Sequence, residues 1–267
     1  LMEIEHIIST MNRKEYSFLD KMNIQTRSIV VNQTDKIRNE EYILDNGNVV
    51  KIFSVAEKGL SRSRNKLLEK STGDICIIGD DDVEYLSGYL EIINRAYEKY
   101  QDADIIVFQF THDKNKETRV RYKNDKRYYL WNISKVASVE ITFKRKSIID
   151  AGINFNNEIG LGTEFPSGEE NAFLADALRA GLKIYYIPKT ICYAVEEHKV
   201  KNNSDLENYL VTKGAAYYCI YKKFFSLYAL AFICLKKKNL LSGISIFQAM
   251  KYMRKGKQEY RRKMNVS

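Results

Sequence analysis

Three consecutive carboxylates, Asp80-Asp81-Asp82, follow a short apolar run that begins at Ile75. An apolar run of this density is typical of a strand buried on both faces. Negative charge at the end of such a strand costs free energy unless a positive partner is present, and divalent cations prefer oxygen ligands. An extended backbone puts Asp80 and Asp82 on one side. Because ligands bind at the carboxyl ends of strands in open α/β sheets, the segment predicts a metal-dependent site.

A second acidic pair, Glu169-Glu170, follows Ser167-Gly168 at the predicted start of a helix. Acidic residues at a helix N-terminus stabilise the helix dipole, which is one interpretation of the pair. In a cleft, two adjacent like charges also raise the pKa of one carboxyl. A carboxylate with a raised pKa suits a general base that removes a proton from a hydroxyl group. Glu170 is the first candidate for that base and Glu169 the second.

Strand-like and helix-like segments alternate over the first two hundred residues, which predicts an α/β fold with a mostly parallel central sheet flanked by helices. Within it, Ser61 is predicted to cap a helix that runs to about Lys70. A strand from Lys183 is predicted to stop at Pro188. Long helical patterns rich in Tyr, Phe, Leu and Lys then predict a helical appendage over residues 205–267.

The chain has 267 residues, a formal net charge of +9 and a pI near 9.1. The positive surplus suits phosphate-bearing partners or an anionic membrane surface. Nucleic acid is not an expected partner, since no zinc-finger, RRM or KH motif is present. The four cysteines lack metal-ligand spacing and no secretory signal precedes them, so the protein is expected to be cytoplasmic with reduced thiols.

The apolar segment 227–233 is followed by Lys236-Lys237-Lys238, the pattern of an interfacial helix. No apolar stretch of the chain is expected to reach the roughly 20 residues that span a bilayer, and the nearest approach, Phe224 to Leu235, is too short. Two interpretations remain open for this part of the chain. The helices either contact the inner face of the cell membrane peripherally, or pack against the α/β part of the chain or a partner subunit, which would make the protein a homo-oligomer.

Four segments in order resemble the family 2 glycosyltransferases with the GT-A fold, closest to bacterial capsule or exopolysaccharide enzymes. They are Ile7-Ile8-Ser9-Thr10-Met11-Asn12-Arg13, Lys58-Gly59-Leu60-Ser61-Arg62-Ser63-Arg64-Asn65, Gly73-Asp74 with Asp80-Asp81-Asp82 (similar to the DxD motif), and Gly168-Glu169-Glu170-Asn171-Ala172-Phe173-Leu174. The resemblance implies a catalytic domain over 1–204, with a donor-binding half to about residue 110 and an acceptor-binding half over 111–204.

The resemblance implies inverting, metal-dependent transfer of a sugar from a nucleoside-diphosphate sugar, expected to be a UDP-sugar, to a saccharide acceptor, expected to be polyprenyl-linked. It implies Mn²⁺ or Mg²⁺ held by Asp82, with Asp80 reaching the metal or the ribose, and by His198, for which a structural role is the alternative. The residues expected to bind the donor nucleotide are Ser9, Thr10, Asn12, Arg13, Asn32, Gln33, Arg62, Arg64, Asn65, Asp80 and Asp81.

Two of these assignments carry a qualification. The second strand of the family usually ends in an Asp that contacts the donor base, whereas this chain has Asn32; an amide can also hydrogen-bond a base edge. Arg62 and Arg64 could instead form a basic solvated face of their helix, rather than contact the donor phosphates near the helix N-terminus.

Two other functions stay as alternatives. A sugar-nucleotide nucleotidyltransferase shares the sheet type and the metal chemistry, but normally has a Gly-rich loop after its first strand, and residues 9–13 contain no Gly. A non-catalytic basic module that binds glycan or nucleic acid would not need two separated acidic clusters.

Overall fold

The computed structural model describes residues 2–112, 121–194, 206–238, 241 and 243–266. The strands are β1 (Ile4–Met11), β2 (Ser28–Gln33), β3 (Arg38–Ile43), β4 (Val49–Val55), β5 (Ile75–Asp80), β6 (Val83–Tyr85), β7 (Ile105–Thr111), β8 (Lys126–Tyr128), β9 (Ile141–Lys144) and β10 (Ile184–Ala194). The helices are α1 (Phe18–Lys21), α2 (Leu60–Lys70), α3 (Tyr89–Lys99), α4 (Arg145–Asp150), α5 (Glu169–Arg179), α6 (Leu206–Tyr221), α7 (Phe225–Lys236) and α8 (Ile246–Val266).

One mixed sheet organises the chain, in the order β3-β4-β2-β1-β5-β9-β7-β10-β6, with β8 paired to β10. Strands β4, β2, β1 and β5 run parallel to their neighbours in this series, as do β7 and β10. Apolar side chains fill both faces of the central strands, and β1 and β2 are buried almost throughout. The predicted fold is therefore confirmed: a central sheet flanked by helices, with a helical C-terminal part.

Two local predictions are wrong. Gly59, with φ +118°, precedes helix α2 as its N-cap, while the Ser61 hydroxyl donates a hydrogen bond of 2.6 Å to the carbonyl of Ile159. Strand β10 continues past Pro188 to Ala194, and its pairing with β7 shifts register between Tyr186 and Thr190. A proline has no N–H to donate, so the strand accommodates it at an irregularity instead of ending there.

The C-terminal helices pack closely on one another. At Gly214 of α6 and Gly256 of α8, a Cβ atom would collide with the backbone carbonyls of Met253 and Val211. Only glycine permits this approach of two helix backbones. The buried side of α7, at Phe225, Ala229 and Ile233, packs into one apolar cluster with Leu210 of α6 and Met253 of α8.

The segment 206–236 is long and apolar enough to span a bilayer by length and composition, and about a third of its most apolar part is buried. The sequence-based expectation that no stretch of the chain is long enough was therefore wrong. In the structure this segment is two helices, because a 3₁₀ turn at Lys222–Phe224 separates α6 from α7, and Lys222 has a φ of +45°.

Candidate functional site

The carboxyl ends of β1, β2 and β5 meet at one edge of the sheet. Ser9 pairs with Asp80 across β1 and β5, and Met11 pairs with Gln33 across β1 and β2. This register brings the acidic motif beside the loop that follows β1. The ends of these strands, the start of α2 and the loop at Leu161 enclose a cleft of about 540 Å³.

Arg64 joins the two acidic clusters. Its side chain, only 1% exposed, donates one hydrogen bond of 3.0 Å to Asp80 Oδ1 and another of 2.9 Å to Glu169 Oε1. Burial disfavours the guanidinium charge, but the carboxylates of Asp80 and Glu169 outweigh it, so the pKa of Arg64 lies above its ordinary value. The end of β5 and the start of α5 are therefore held at one site by a single buried cation.

Glu170 lies next to this network with an altered proton affinity. Burial, and to a smaller extent the negative charge of Glu169, raise the pKa of Glu170 to about 8. Lys213 of α6 is close enough to interact electrostatically with both carboxylates. Burial lowers the pKa of its ammonium group, while the negative charges of Glu170 and Glu169 raise it. A carboxyl with a pKa near neutrality is matched to proton transfer at physiological pH.

Asp80 and Asp81 are also held from outside the network. Ser138, in a 3₁₀ turn before β9, donates a hydrogen bond of 2.9 Å to Asp80 Oδ2. Asp81 Oδ2 accepts hydrogen bonds from Thr10 and from the Arg13 guanidinium, whose Nη2 lies at 2.9 Å. The turn before β9 thus orients Asp80, and the end of β1 with the loop that follows it orients Asp81.

The loop between α4 and α5 closes the site through glycines with positive φ. A Cβ at Gly160 would lie 3.0 Å from Ser61 Oγ and 3.3 Å from Glu169 Cβ. At Gly168, with φ +102°, a Cβ would lie 2.8 Å from Ala216 Cβ on α6. The loop therefore fits tightly between α2, α5 and α6.

Residues 25–156 match the family model described as glycosyl transferase family 2. The chain therefore contains a glycosyl transferase family 2 domain. It is a glycosyltransferase with a GT-A fold. No curated protein sequence matches it significantly.

Solved structures of S. aureus TarS share the family fold. TarS 1–349 is 13% identical over 98% of this chain and 92% of that chain, with a TM-score of 0.58. TarS 1–349 in complex with UDP-GlcNAc is 13% identical over 98% of this chain and 92% of that chain, with a TM-score of 0.59. TarS 1–349 in complex with UDP is 14% identical over 97% of this chain and 89% of that chain, with a TM-score of 0.60.

The predicted donor residues divide into two groups in this family 2 structure. Those that line the cleft are Ser9, Thr10, Arg13, Gln33, Asp80 and Asp81, together with the predicted metal ligand Asp82. Gln33 also donates a hydrogen bond of 2.8 Å to the carbonyl of Gly59, which fixes the entry to α2. For these residues, contact with a donor stays a prediction that their position allows.

The other predicted donor residues have different surroundings. Asn32 is fully buried, and its amide donates to the Arg13 carbonyl at 2.8 Å and to the Tyr16 hydroxyl at 3.2 Å. In this structure Asn32 shapes the loop after β1 and does not face the cleft as a base-binding amide would. Asn12, in the same loop, has a φ of +56° and donates its N–H to the Gln33 carbonyl.

The three predicted residues of α2 are each engaged by other side chains or by backbone groups. Arg62 is 42% exposed and pairs with Glu57 at 2.9 Å, which corresponds to the solvated-face interpretation. Asn65 donates to the carbonyl of Phe155 at 2.9 Å and accepts from the Phe155 N–H at 2.7 Å, so it anchors the loop before α5. Arg64 serves the carboxylates described above.

Three residues of the site were missed by sequence reasoning. Lys58, which lines the cleft, stands in a segment that carried the family resemblance, so its charge was a usable signal. Ser138 and Lys213 had none, because each reaches the site from a distant part of the chain. Only the packing of the turn before β9 and of α6 brings them to the acidic clusters.

The donor set fits a hard divalent cation bound jointly with a ligand. Within the described ranges, no group of three His, Cys, Asp or Glu side chains could hold a metal by itself. Mg²⁺ in nucleotide sites is usually bound by one or two carboxylates together with substrate phosphates, and Asp80 and Asp82 on the cleft wall supply that number. His198, the third predicted ligand, lies outside the described residues.

Proposed function

We propose that this protein is an inverting, metal-dependent glycosyltransferase that moves a sugar from a UDP-sugar to a hydroxyl of a saccharide acceptor. The observation that carries the proposal is the buried Arg64, which joins Asp80 on the donor side to Glu169 on the acceptor side. Complexes of the structurally similar S. aureus TarS with UDP and UDP-GlcNAc support uridine as the nucleoside.

The donor would lie in the cleft at the carboxyl ends of β1, β2 and β5. Arg13 and Lys58 line this cleft and supply positive charge for a diphosphate. Asp80 and Asp82 would hold Mn²⁺ or Mg²⁺, which when bound neutralises the charge on the departing diphosphate. The hydrogen bonds from Arg64 and Ser138 keep Asp80 oriented before any ligand arrives.

Glu170 would act as the general base, with Glu169 as the second candidate. In its ionised form Glu170 removes the proton of the acceptor hydroxyl as that oxygen forms its bond to the anomeric carbon. The bond between the anomeric carbon and the phosphate oxygen breaks on the opposite face, UDP leaves, and the configuration inverts. Glu169 is held by Arg64, which leaves Glu170 as the carboxyl whose raised pKa suits proton transfer.

A lipid-linked acceptor and a role in capsule or exopolysaccharide synthesis are part of the proposal. The outward side of α7 supports peripheral contact with a membrane, because Leu227, Leu230 and Leu235 are exposed along it and Phe224 is exposed just before it. Lysines adjoin both ends of this stripe, at residues 222–223 and 236–238. An exposed apolar helix face with flanking cations suits an anionic lipid surface.

Thermal unfolding with UDP and Mn²⁺ tests the donor site. Together they should raise the Tm of the wild-type chain, and at ligand concentrations near 100 Kd the stabilisation is about 2.7 kcal/mol. Asp82→Asn should abolish the part that requires Mn²⁺, whereas Asp35→Asn, which removes a carboxylate outside the cleft, should keep it. An equal response of Asp82→Asn and wild type would refute the metal assignment.

Product analysis tests the reaction class. Incubation with a panel of UDP-sugars should release UDP and free sugar slowly in the absence of an acceptor. Release of pyrophosphate from a sugar phosphate and UTP would instead identify a nucleotidyltransferase. Glu170→Gln should retain UDP binding but lose transfer, and a variant that transfers sugar at the wild-type rate would contradict the base assignment.

A further inference from the structure

Two aromatic side chains form an exposed, stacked pair outside the donor cleft. Trp131 is 62% exposed and Tyr129 is 41% exposed. Their ring centroids lie 4.8 Å apart with an angle of 14° between the ring planes. Trp131 is the only tryptophan in the chain. Large aromatic side chains dominate binding interfaces when they are available at a surface, so this pair is a candidate contact surface.

The pair is held in place by its own turn. The N–H of Tyr129 donates a hydrogen bond of 2.7 Å to Asn132 Oδ1, and the N–H of Asn132 donates one of 3.0 Å to the carbonyl of Tyr129. The Arg127 guanidinium lies 5.7 Å from the centre of the Tyr129 ring. These contacts fix the aromatic platform, defined as Tyr129 and Trp131, before a ligand binds, which lowers the entropy cost of binding.

The chain that follows the aromatic platform leads directly to the acidic clusters. Asn171, the residue after Glu170, donates hydrogen bonds of 3.2 Å and 2.9 Å to the carbonyls of Ile133 and Val136. Ser138, two residues beyond Val136, donates to Asp80 Oδ2 at 2.9 Å. The platform is thus tied to the first turn of α5, on the side of the site where the acceptor would enter.

We propose that the aromatic platform is a saccharide subsite, on which a pyranose ring of the acceptor stacks. This inference rests on the proposed function and adds the residues that recognise the acceptor. A pyranose ring presents an apolar C–H face that packs on flat aromatic rings while its hydroxyls stay in water. The ring bound here would be one beyond the sugar whose hydroxyl Glu170 deprotonates.

The location of the aromatic platform favours a sugar ring of the acceptor over the nucleotide base of the donor as its ligand. The donor cleft is lined by the ends of β1, β2 and β5, and neither Tyr129 nor Trp131 is among its lining residues. The platform is instead connected to α5 through Asn171. The platform therefore suits the part of an acceptor that extends away from Glu170, the proposed general base. It would select acceptors of at least two sugar units.

Fluorescence of Trp131 reports binding without interference from other tryptophans. We expect the emission to shift to the blue when UDP-saturated protein is titrated with lactose, cellobiose or N,N′-diacetylchitobiose. No change with any of the three disaccharides would overturn the proposal. A shift caused by UDP alone would assign the platform to the donor, and a shift caused only by anionic lipid vesicles would assign it to a membrane contact.

Transfer kinetics separate this inference from the proposed function. Trp131→Ala should raise the KM for the best disaccharide acceptor by roughly five- to tenfold, in the range of an aromatic stacking contact, and Trp131→Phe should recover most of the loss. Acceptor-independent hydrolysis of the UDP-sugar should stay at the wild-type rate, as it should in the control Phe247→Ala. If Trp131→Ala keeps the wild-type acceptor KM and hydrolyses the UDP-sugar normally, the saccharide subsite is refuted but the proposed function is not. If the wild-type protein does not hydrolyse any UDP-sugar, the proposed function is refuted.

Discussion

Replacement of Arg64 by methionine tests whether one buried cation holds the two acidic clusters together. Methionine keeps much of the length of the side chain but removes both donors to Asp80 and Glu169. The wild-type guanidinium is 1% exposed, and the side chains of Asp80 and Glu169 are 32% and 7% exposed. The variant therefore leaves Glu169 charged, buried and without its partner.

The expected loss is large because only one member of the network is removed. Breaking a buried ion pair in this way costs about 3–5 kcal/mol of the free energy of unfolding. Since Asp80 keeps access to water, the lower end, about 3 kcal/mol, is expected at neutral pH. For a chain of this size that corresponds to a decrease in Tm of roughly 6–12 °C.

Arg62→Met provides the matched control two residues away. Arg62 pairs with Glu57, and both side chains are about half exposed, at 42% and 53%. Its loss should change the free energy of unfolding by less than about 1 kcal/mol. Urea denaturation of both variants, with Arg64→Met/Glu169→Gln as a third chain, measures the difference.

Two results support the proposed linkage and one refutes it. Arg64→Met/Glu169→Gln should be more stable than Arg64→Met, because the orphaned charge is absent. Arg64→Met should also lose more stability than Arg62→Met. If Arg64→Met loses no more stability than Arg62→Met, Arg64 does not hold the donor and acceptor sides together.

Three further predictions follow from the same structure. The rate of transfer should rise with pH through about 8 as Glu170 ionises. Because folding raises the pKa of Glu170 from its ordinary value of 4.5 to about 8, the free energy of unfolding should fall as the pH rises between these two values, and this slope should be absent from Glu170→Gln. Parallel stability–pH curves for the two proteins would contradict the assignment. Leu227→Glu should reduce co-sedimentation with anionic vesicles while Ile43→Glu, on the exposed strand β3, should not; equal binding by the two would exclude α7 as the contact. Gly168→Ala should lose about 1–3 kcal/mol in urea denaturation, more than Gly181→Ala, whose added Cβ meets open space, and an equal loss would rule out a steric origin.

The parts of the fold that follow from local patterns were predictable. The strand before Asp80 and the helix that begins at Glu169 are each formed by one continuous segment with a clear pattern. The order of the motifs along the chain indicated the family. Strand β3 (Arg38–Ile43) was not predicted, because it is a polar edge strand whose residues are mostly exposed. Its pairing with β4 depends on the neighbouring strand and not on its own composition.

The candidate site was less predictable than the fold for a related reason. Sequence reasoning placed Arg62, Arg64 and Asn65 together at the donor nucleotide, since all three stand near a helix N-terminus. The structure divides them, because successive positions on a helix face in different directions. One faces solvent, one is buried between carboxylates, and one anchors the loop before α5. Side-chain direction is set by which neighbours pack around the helix, which one sequence does not reveal.

The contact of α6 with the start of α5 has a consequence for attempts to redesign this enzyme. Gly168 lies directly against Ala216, and Lys213 from the same helix sets part of the electrostatic environment of Glu170. The C-terminal helices thus adjoin the acidic pair at the start of α5 and also carry the proposed membrane contact. Exchanging them with those of a relative, in order to move the protein to another membrane or partner, would at the same time change the electrostatic environment of Glu170, the proposed base.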